Sequence, residues 1–175
     1  MIKDAELVIS HDRLLKGICA HAERLTHLFQ HKHVTLMPIL EGAGFYSQVL
    51  QSHLEVSFDV IPITVHSYEG TESKELKVSK FPAGDLQGKT VIILDDIYDT
   101  GKTMKYIKHL CYQRCAFSVF SSVLLYKLDV SEQEKNVLDF SCFNIQNEFV
   151  VGSGLDYNGS YREVEGVWKL PQNAY

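Results

Sequence analysis

Thr90-Val91-Ile92-Ile93-Leu94-Asp95-Asp96-Ile97-Tyr98-Asp99-Thr100-Gly101-Lys102-Thr103-Met104 is the stretch whose reading decides the fold. An apolar, β-branched run of the kind that fills a buried parallel strand reaches two adjacent carboxylates, then a third. A small glycine-containing turn and a helical pattern follow. Thr100, Gly101, Lys102 and Thr103 fall where a helix begins, and the unpaired backbone N–H groups of a first helical turn favour an anion. Gly101 permits close approach of the backbone, and the two threonine hydroxyls add donors. Asp95 and Asp96 are acceptors suited to sugar hydroxyls or to hydrated Mg²⁺. Three neighbouring carboxylates repel one another, and a cation or polyhydroxyl ligand removes that objection. A phosphate-and-ribose site is the outline that results.

Three other readings compete. A nucleotide-binding P-loop needs a glycine five residues before that of its Gly-Lys pair, and Asp96 stands there. Asp95-Asp96-x-x-Asp99 matches the metal signature of prenyl-diphosphate enzymes, but those carry it on helices of all-α folds, whereas this one follows a strand. A plain surface corner has no use for three acids, a glycine and two threonines in this order.

The run from Val91 to Met104 resembles the phosphoribosyl-pyrophosphate (PRPP) motif of the type I phosphoribosyltransferases, most nearly their hypoxanthine-guanine branch. The resemblance extends in order from about Ile39 to Arg162. It implies an α/β fold with a mainly parallel twisted sheet flanked by helices and a small hood from the C- and N-terminal segments. It further implies Mg²⁺-dependent transfer of 5-phosphoribosyl from PRPP to N9 of hypoxanthine or guanine, giving IMP or GMP and pyrophosphate. In the roles so implied, Asp95 and Asp96 hold the ribose hydroxyls, Asp99 exchanges a proton with the purine, and Thr100, Gly101, Lys102 and Thr103 cradle the 5′-phosphate. Asp95, Asp96 and Asp156 are the implied metal contacts.

The remaining chain fits one domain over 1–175, long enough for a substantial core. Hydrophobic residues make up 45% and charged residues 22%, a globular balance. A formal charge of −5 and a pI near 5.9 give no broad nucleic-acid surface. No apolar run reaches membrane-span length and acids occupy the first residues, so a cytoplasmic protein without membrane partners is expected. Cys19, Cys111, Cys115 and Cys142 lack metal or redox spacing and read as reduced thiols.

Glu6 to Ile9 is a short extended segment, and Ser10 offers a helix cap. Leu14, Leu15, Ile18, Cys19, Ala22, Leu25, Leu28 and Phe29 then recur at helical spacing as one apolar face. His27, His31 and His33 read as solvated helix-end residues, with no carboxylate or thiolate at ligand spacing. A buried strand from Val34 to Leu40 leads to Glu41-Gly42-Ala43-Gly44 and a second helix, which predicts a second anion-binding turn. By resemblance Glu41 and Gly42 belong to the pyrophosphate loop, where a basic residue followed by glycine is usual and a non-proline cis peptide common. An acid there is favourable only with Mg²⁺ between it and pyrophosphate, or turned away.

Phe58 to Val65 reads as one strand, with Pro62 marking an edge or bulge. From about 66 to 88 a long polar segment is expected as a mobile active-site loop, with a weak strand arm from Glu75 to Phe81. Ser67 and Tyr68 match the family's Ser-Tyr pair, whose closure excludes water from a cationic transition state. After the helix carrying Met104, Ile107, Leu110 and Cys111, a strand from Phe117 to Tyr126 ends at Lys127. Lys127 stands where the family binds the purine 6-oxo group, and the acidic stretch Asp129 to Lys135 is a short solvated helix at most.

About 140–175 forms the expected purine hood. Phe149 matches the residue that stacks on the base, Val150 the backbone that reads its edge, Asp156 the acid near pyrophosphate, and Arg162 the arginine reaching it. Gly166 to Leu170 reads as a closing strand. A homodimer or homotetramer through apolar surface on the first helices is the implied assembly. Two alternatives stay open: transfer to another base such as xanthine or a pyrimidine, and a PRPP- or nucleotide-sensing regulator on the same fold.

Overall fold

The computed structural model describes residues 4–69, 74–78, 81, 86–128 and 137–171, with backbone alone for 66–69 and 74–77. In chain order the elements are β1 (Glu6–Ile9), α1 (His11–Phe29), β2 (His33–Leu40), α2 (Gly44–His53), β3 (Ser57–Val60), β4 (Ile63–Glu69) and β5 (Lys74–Val78). They continue with β6 (Thr90–Tyr98), α3 (Lys102–Gln113), β7 (Ser118–Lys127), β8 (Phe140–Ile145), β9 (Val150–Val151) and β10 (Val167–Lys169).

The main sheet runs β5-β4-β2-β6-β7-β8, with β3 also paired to β2; among the described strands of this sheet only the β4–β5 pair is antiparallel. Side chains alternate between the faces of a strand, and here both faces are covered. Val34, Leu36, Ile92 and Leu94 point into a core shared with α1 and α2, while Met37, Ile39, Val91 and Ile93 point into one shared with α3. That double burial is why β2 and β6 read as unbroken apolar runs. A second sheet, β1-β10-β9, joins the N-terminal strand to the C-terminal segment.

Local departures from expectation have physical causes. The Phe58–Val65 strand is two strands, because Pro62 cannot donate to a ladder: β3 pairs with the start of β2 and β4 with its end. Part of the long segment expected as a loop is a hairpin, β4 and β5, with Tyr68 opposite Glu75. The rest of that segment at 70–73, 79–80 and 82–85, and the acidic stretch at 129–136, lie outside the described residues. Lys74–Val78 is the arm expected at Glu75 to Phe81.

Ser10 caps α1, its hydroxyl oxygen accepting from the Arg13 N–H at 3.4 Å. Leu14, Ile18, Ala22, Leu25 and Phe29 are buried as expected, but Leu15 and Leu28 are exposed and Cys19 is half-buried. His21 joins the buried residues on the inner face. It is 5% exposed, its Nε2 lies 2.8 Å from Ser122 Oγ, and Tyr46 Oη lies 2.7 Å from the same oxygen. His33 is not at a helix end but opens β2, with Nδ1 2.7 Å from Ser57 Oγ.

Burial, with Arg24 adding to it, lowers the His21 pKa from 6.5 to about 4. The unfolded chain therefore binds a proton in a window where the native protein does not, so stability is lost as pH falls from 6.5 to about 4. At about 1.4 kcal/mol per pH unit, the loss is on the order of 3 kcal/mol. Urea unfolding of the parent and of His21→Gln at pH 7 and pH 4 checks it. The variant should lose less than half as much between the two pH values; an equal loss would assign it to other groups.

Candidate active site

The C-terminal edge of the parallel sheet collects the chemistry. β6 keeps its ladder through the acids, with Asp95 opposite Val123 and Tyr98 opposite Tyr126, so the strand runs to Tyr98. Continuing that parallel register puts Asp99 beside Lys127, and Lys127 Nζ lies 3.3 Å from Asp99 Oδ1. The Lys127 side chain is 14% exposed and that of Asp99 58%, so a largely but not fully covered cation meets a solvated acid.

Gly101 then turns the chain into α3. It caps the helix with φ +68, and a Cβ at this position would lie 2.2 Å from the Tyr98 hydroxyl. Among the described residues no side-chain cap bond closes the start of this helix, and Gly101 at its cap and Thr103 in its first turn line the adjoining cleft. Ile39, Val65, Asp95 to Gly101, Thr103 and Met104 line a cleft of about 370 Å³. A second cleft of about 220 Å³ adjoins it through Asp96, Ile97 and Asp99 and is also lined by Lys127, Glu148, Phe149, Val150, Leu155 and Asp156. Lys102 lies in neither lining and is exposed.

Asp95 and Asp96 are partly buried and held by backbone donors. Asp95 Oδ1 accepts from Asp96 N at 3.0 Å, and Asp96 Oδ1 from Ile97 N at 2.8 Å. Burial pushes Asp95 well above the usual carboxylate range, and the Asp96 charge adds to this. Burial raises Asp96 too, against the opposing pull of its hydrogen bonds and of Arg162. Two such carboxyls gain from any ligand that supplies hydroxyl donors or positive charge.

The β2–α2 turn lies against this pair. The Leu40–Glu41 peptide is cis, and a Cβ on Gly42 would fall 2.2 Å from Asp96 Oδ2. Arg162 crosses from the C-terminal segment: Nη1 donates to Gly154 O at 2.6 Å, Nη2 lies 2.8 Å from Asp156 Oδ1, and Nε lies 3.9 Å from Glu41 Oε2. Asp156 Oδ2 also accepts from Gly159 N at 2.7 Å. Phe149 packs edge-on to Tyr157 with ring centroids 5.4 Å apart, and Val150 is buried.

The structure thus gathers Asp95, Asp96, Asp99, Thr100, Gly101, Thr103, Lys127, Phe149, Val150 and Asp156 around two joined clefts. Glu41 and Arg162 lie within ion-pair reach of each other outside both linings, with Gly42 against Asp96. Ser67 and Tyr68 are placed by backbone alone, on β4 opposite Leu76 and Glu75. Among the described residues no group of three or more His, Cys, Asp or Glu side chains converges as a metal-binding set. The donors present fit Mg²⁺ in the form it usually takes, one or two carboxylates completed by substrate phosphate oxygens and water. Besides apolar lining such as Ile39, Val65, Ile97 and Leu155, Glu148 is the charged lining residue that sequence reasoning missed. Its side chain pairs with Lys169 at 2.5 Å, and its place directly before Phe149 was the available signal.

Comparison with known proteins gives the same frame. The family described as the phosphoribosyl transferase domain matches residues 8–158. The hypoxanthine-guanine phosphoribosyltransferase of Streptococcus pyogenes is 30% identical over 172 residues, 97% of this chain and 95% of that protein. A solved hypoxanthine phosphoribosyltransferase from Staphylococcus aureus superposes with a TM-score of 0.86 at 26% identity, covering 97% of this chain and 93% of the other. The Trypanosoma cruzi hypoxanthine phosphoribosyltransferase, solved with its product IMP, gives 0.87 at 26% identity, covering 100% and 99%. Its sheet order, its motif on β6 and these likenesses along nearly the whole chain make this protein a member of the type I phosphoribosyltransferase family, similar to its hypoxanthine-guanine branch.

Proposed function

We infer that this chain is a purine-salvage enzyme that transfers 5-phosphoribosyl from PRPP to N9 of hypoxanthine or guanine. The observation that carries this is the Lys127–Asp99 pair at the junction of the two clefts. One cleft offers carboxylates and an uncapped helix start, the other an aromatic ring and a buried strand edge. A base in the second cleft would meet Lys127 with a 6-oxo acceptor and Asp99 with a ring N–H.

In the reaction the bond from C1′ to the pyrophosphate oxygen breaks and the bond from C1′ to N9 forms. The sugar passes through a ribosyl cation. Asp95 and Asp96 accept the ribose hydroxyls beside it, and the first turn of α3 with Thr100 and Thr103 binds the 5′-phosphate. Asp99 takes the proton that the base gives up. Phe149 holds the base by stacking, and the Val150 backbone reads its edge. Ser67 and Tyr68 close over the centre and exclude water. Asp95, Asp96 or Asp156, together with phosphate oxygens, would hold Mg²⁺, which when bound would neutralise charge on the leaving pyrophosphate. Cytoplasmic operation belongs to the same proposal, as does a homo-oligomer, for which Leu15 and Leu28 of α1 offer exposed apolar surface.

Thermal unfolding with product nucleotides tests the base preference. IMP or GMP at about 100 times Kd adds about 2.7 kcal/mol, a rise of about 5–10 °C in Tm. AMP at the same concentration, with nothing to accept the Lys127 donor, should stay within about 2 °C of the free protein. An AMP shift equal to that of IMP would contradict the assignment of Lys127.

A further inference from the structure

We propose that Glu41 makes the leaving-group side of this site selective for pyrophosphate that already carries a divalent cation, by competing with the bare anion for Arg162. The proposal rests on the function inferred above. Arg162 is a fastened residue, with one terminal nitrogen on Gly154 O and the other on Asp156. Its remaining nitrogen, Nε, faces Glu41 Oε2 at 3.9 Å. The guanidinium through which an anion would be recognised is therefore already shared between two carboxylates.

Among the described residues the Glu41 side chain serves no packing role. It is 82% exposed, and its backbone carbonyl alone serves the turn by accepting from Gly44 N at 3.1 Å. Among the described residues its carboxylate has Arg162 as its ion-pair partner. The adjoining Gly42 presses the same turn against Asp96 and Arg162 also holds Asp156, so two further carboxylates lie around the Glu41–Arg162 pair. A bare pyrophosphate entering here displaces Glu41 from Arg162 and then lies among charges of its own sign. A pyrophosphate whose charge is largely cancelled by a bound cation meets neither penalty, and Glu41 can face the cation. Glu41 is thus a specificity-determining residue for the metal complex.

Calorimetric titration of the ligand-free protein with inorganic pyrophosphate, once with excess Mg²⁺ and once with EDTA, tests this in the parent and in Glu41→Gln. Removing one exposed charge about 4 Å from Arg162 should tighten metal-free binding about fivefold or more at low salt. Binding with Mg²⁺ should change less than about twofold, and the metal-free gain should shrink by about half or more at 0.5 M salt, as screening requires. An equal change under both conditions, or none, overturns the selectivity while leaving the proposed function intact. Failure of the parent to bind pyrophosphate under either condition overturns both.

Discussion

In the Asp99→Asn variant, kcat for hypoxanthine and guanine falls about 10²–10⁴-fold, the range of a lost general acid–base group, while KM for PRPP changes less than about threefold. The carboxamide keeps the size and the hydrogen-bonding reach of the acid but cannot take up the proton the purine must lose. Folding should be unaffected, because the Asp99 side chain is 58% exposed and its ion partner Lys127 can be solvated from the same cleft. Steady-state rates with thermal unfolding of the same sample separate the two effects. A variant within about tenfold of the parent rate would show that another group accepts the proton.

Replacing Lys127 by methionine should lower kcat/KM for 6-oxopurines about 10–150-fold, the value of a hydrogen bond from a charged donor. Methionine is nearly isosteric and suits a side chain that is only 14% exposed, so the protein should fold. The parallel β6–β7 register places this ammonium at the base-side cleft, where a 6-amino group has nothing to offer it. Activity with adenine should therefore change less than about threefold, and the preference for 6-oxopurines should narrow. An equal loss with all bases would assign Lys127 to holding Asp99 rather than to reading the purine.

How legible the site was in the sequence depended on whether local order or long-range register determines it. β6 and the turn after it were legible because one contiguous stretch carries both the double-faced apolar strand and the carboxylate-to-helix turn. The Glu41–Gly42 turn was legible for the same reason. The Asp99–Lys127 contact was not, since it depends on the β6–β7 register, which strand periodicity does not fix. The fastening of Arg162 by Gly154 and Asp156 arises from turns around Asn158 and Tyr161, both at positive φ without being glycine. On α1, Leu15 and Leu28 satisfied the helical spacing yet lie at the two edges of the apolar stripe and are exposed, while His21, with a buried hydroxyl partner, sits inside it. The break at Pro62 was visible, but not that it would divide one strand between two ends of β2. Glu148 went unread because a charged residue beside an aromatic strand start ordinarily signals a solvated end.

The central claim is tested most directly by incubating the protein with PRPP, Mg²⁺ and each of hypoxanthine, guanine, xanthine and adenine, and quantifying nucleoside monophosphate and pyrophosphate together. The account predicts that hypoxanthine or guanine gives its monophosphate with one pyrophosphate per turnover, with adenine at least about 100-fold slower. Binding of PRPP without turnover of any base, or turnover of adenine at the rate of the 6-oxopurines, would contradict it.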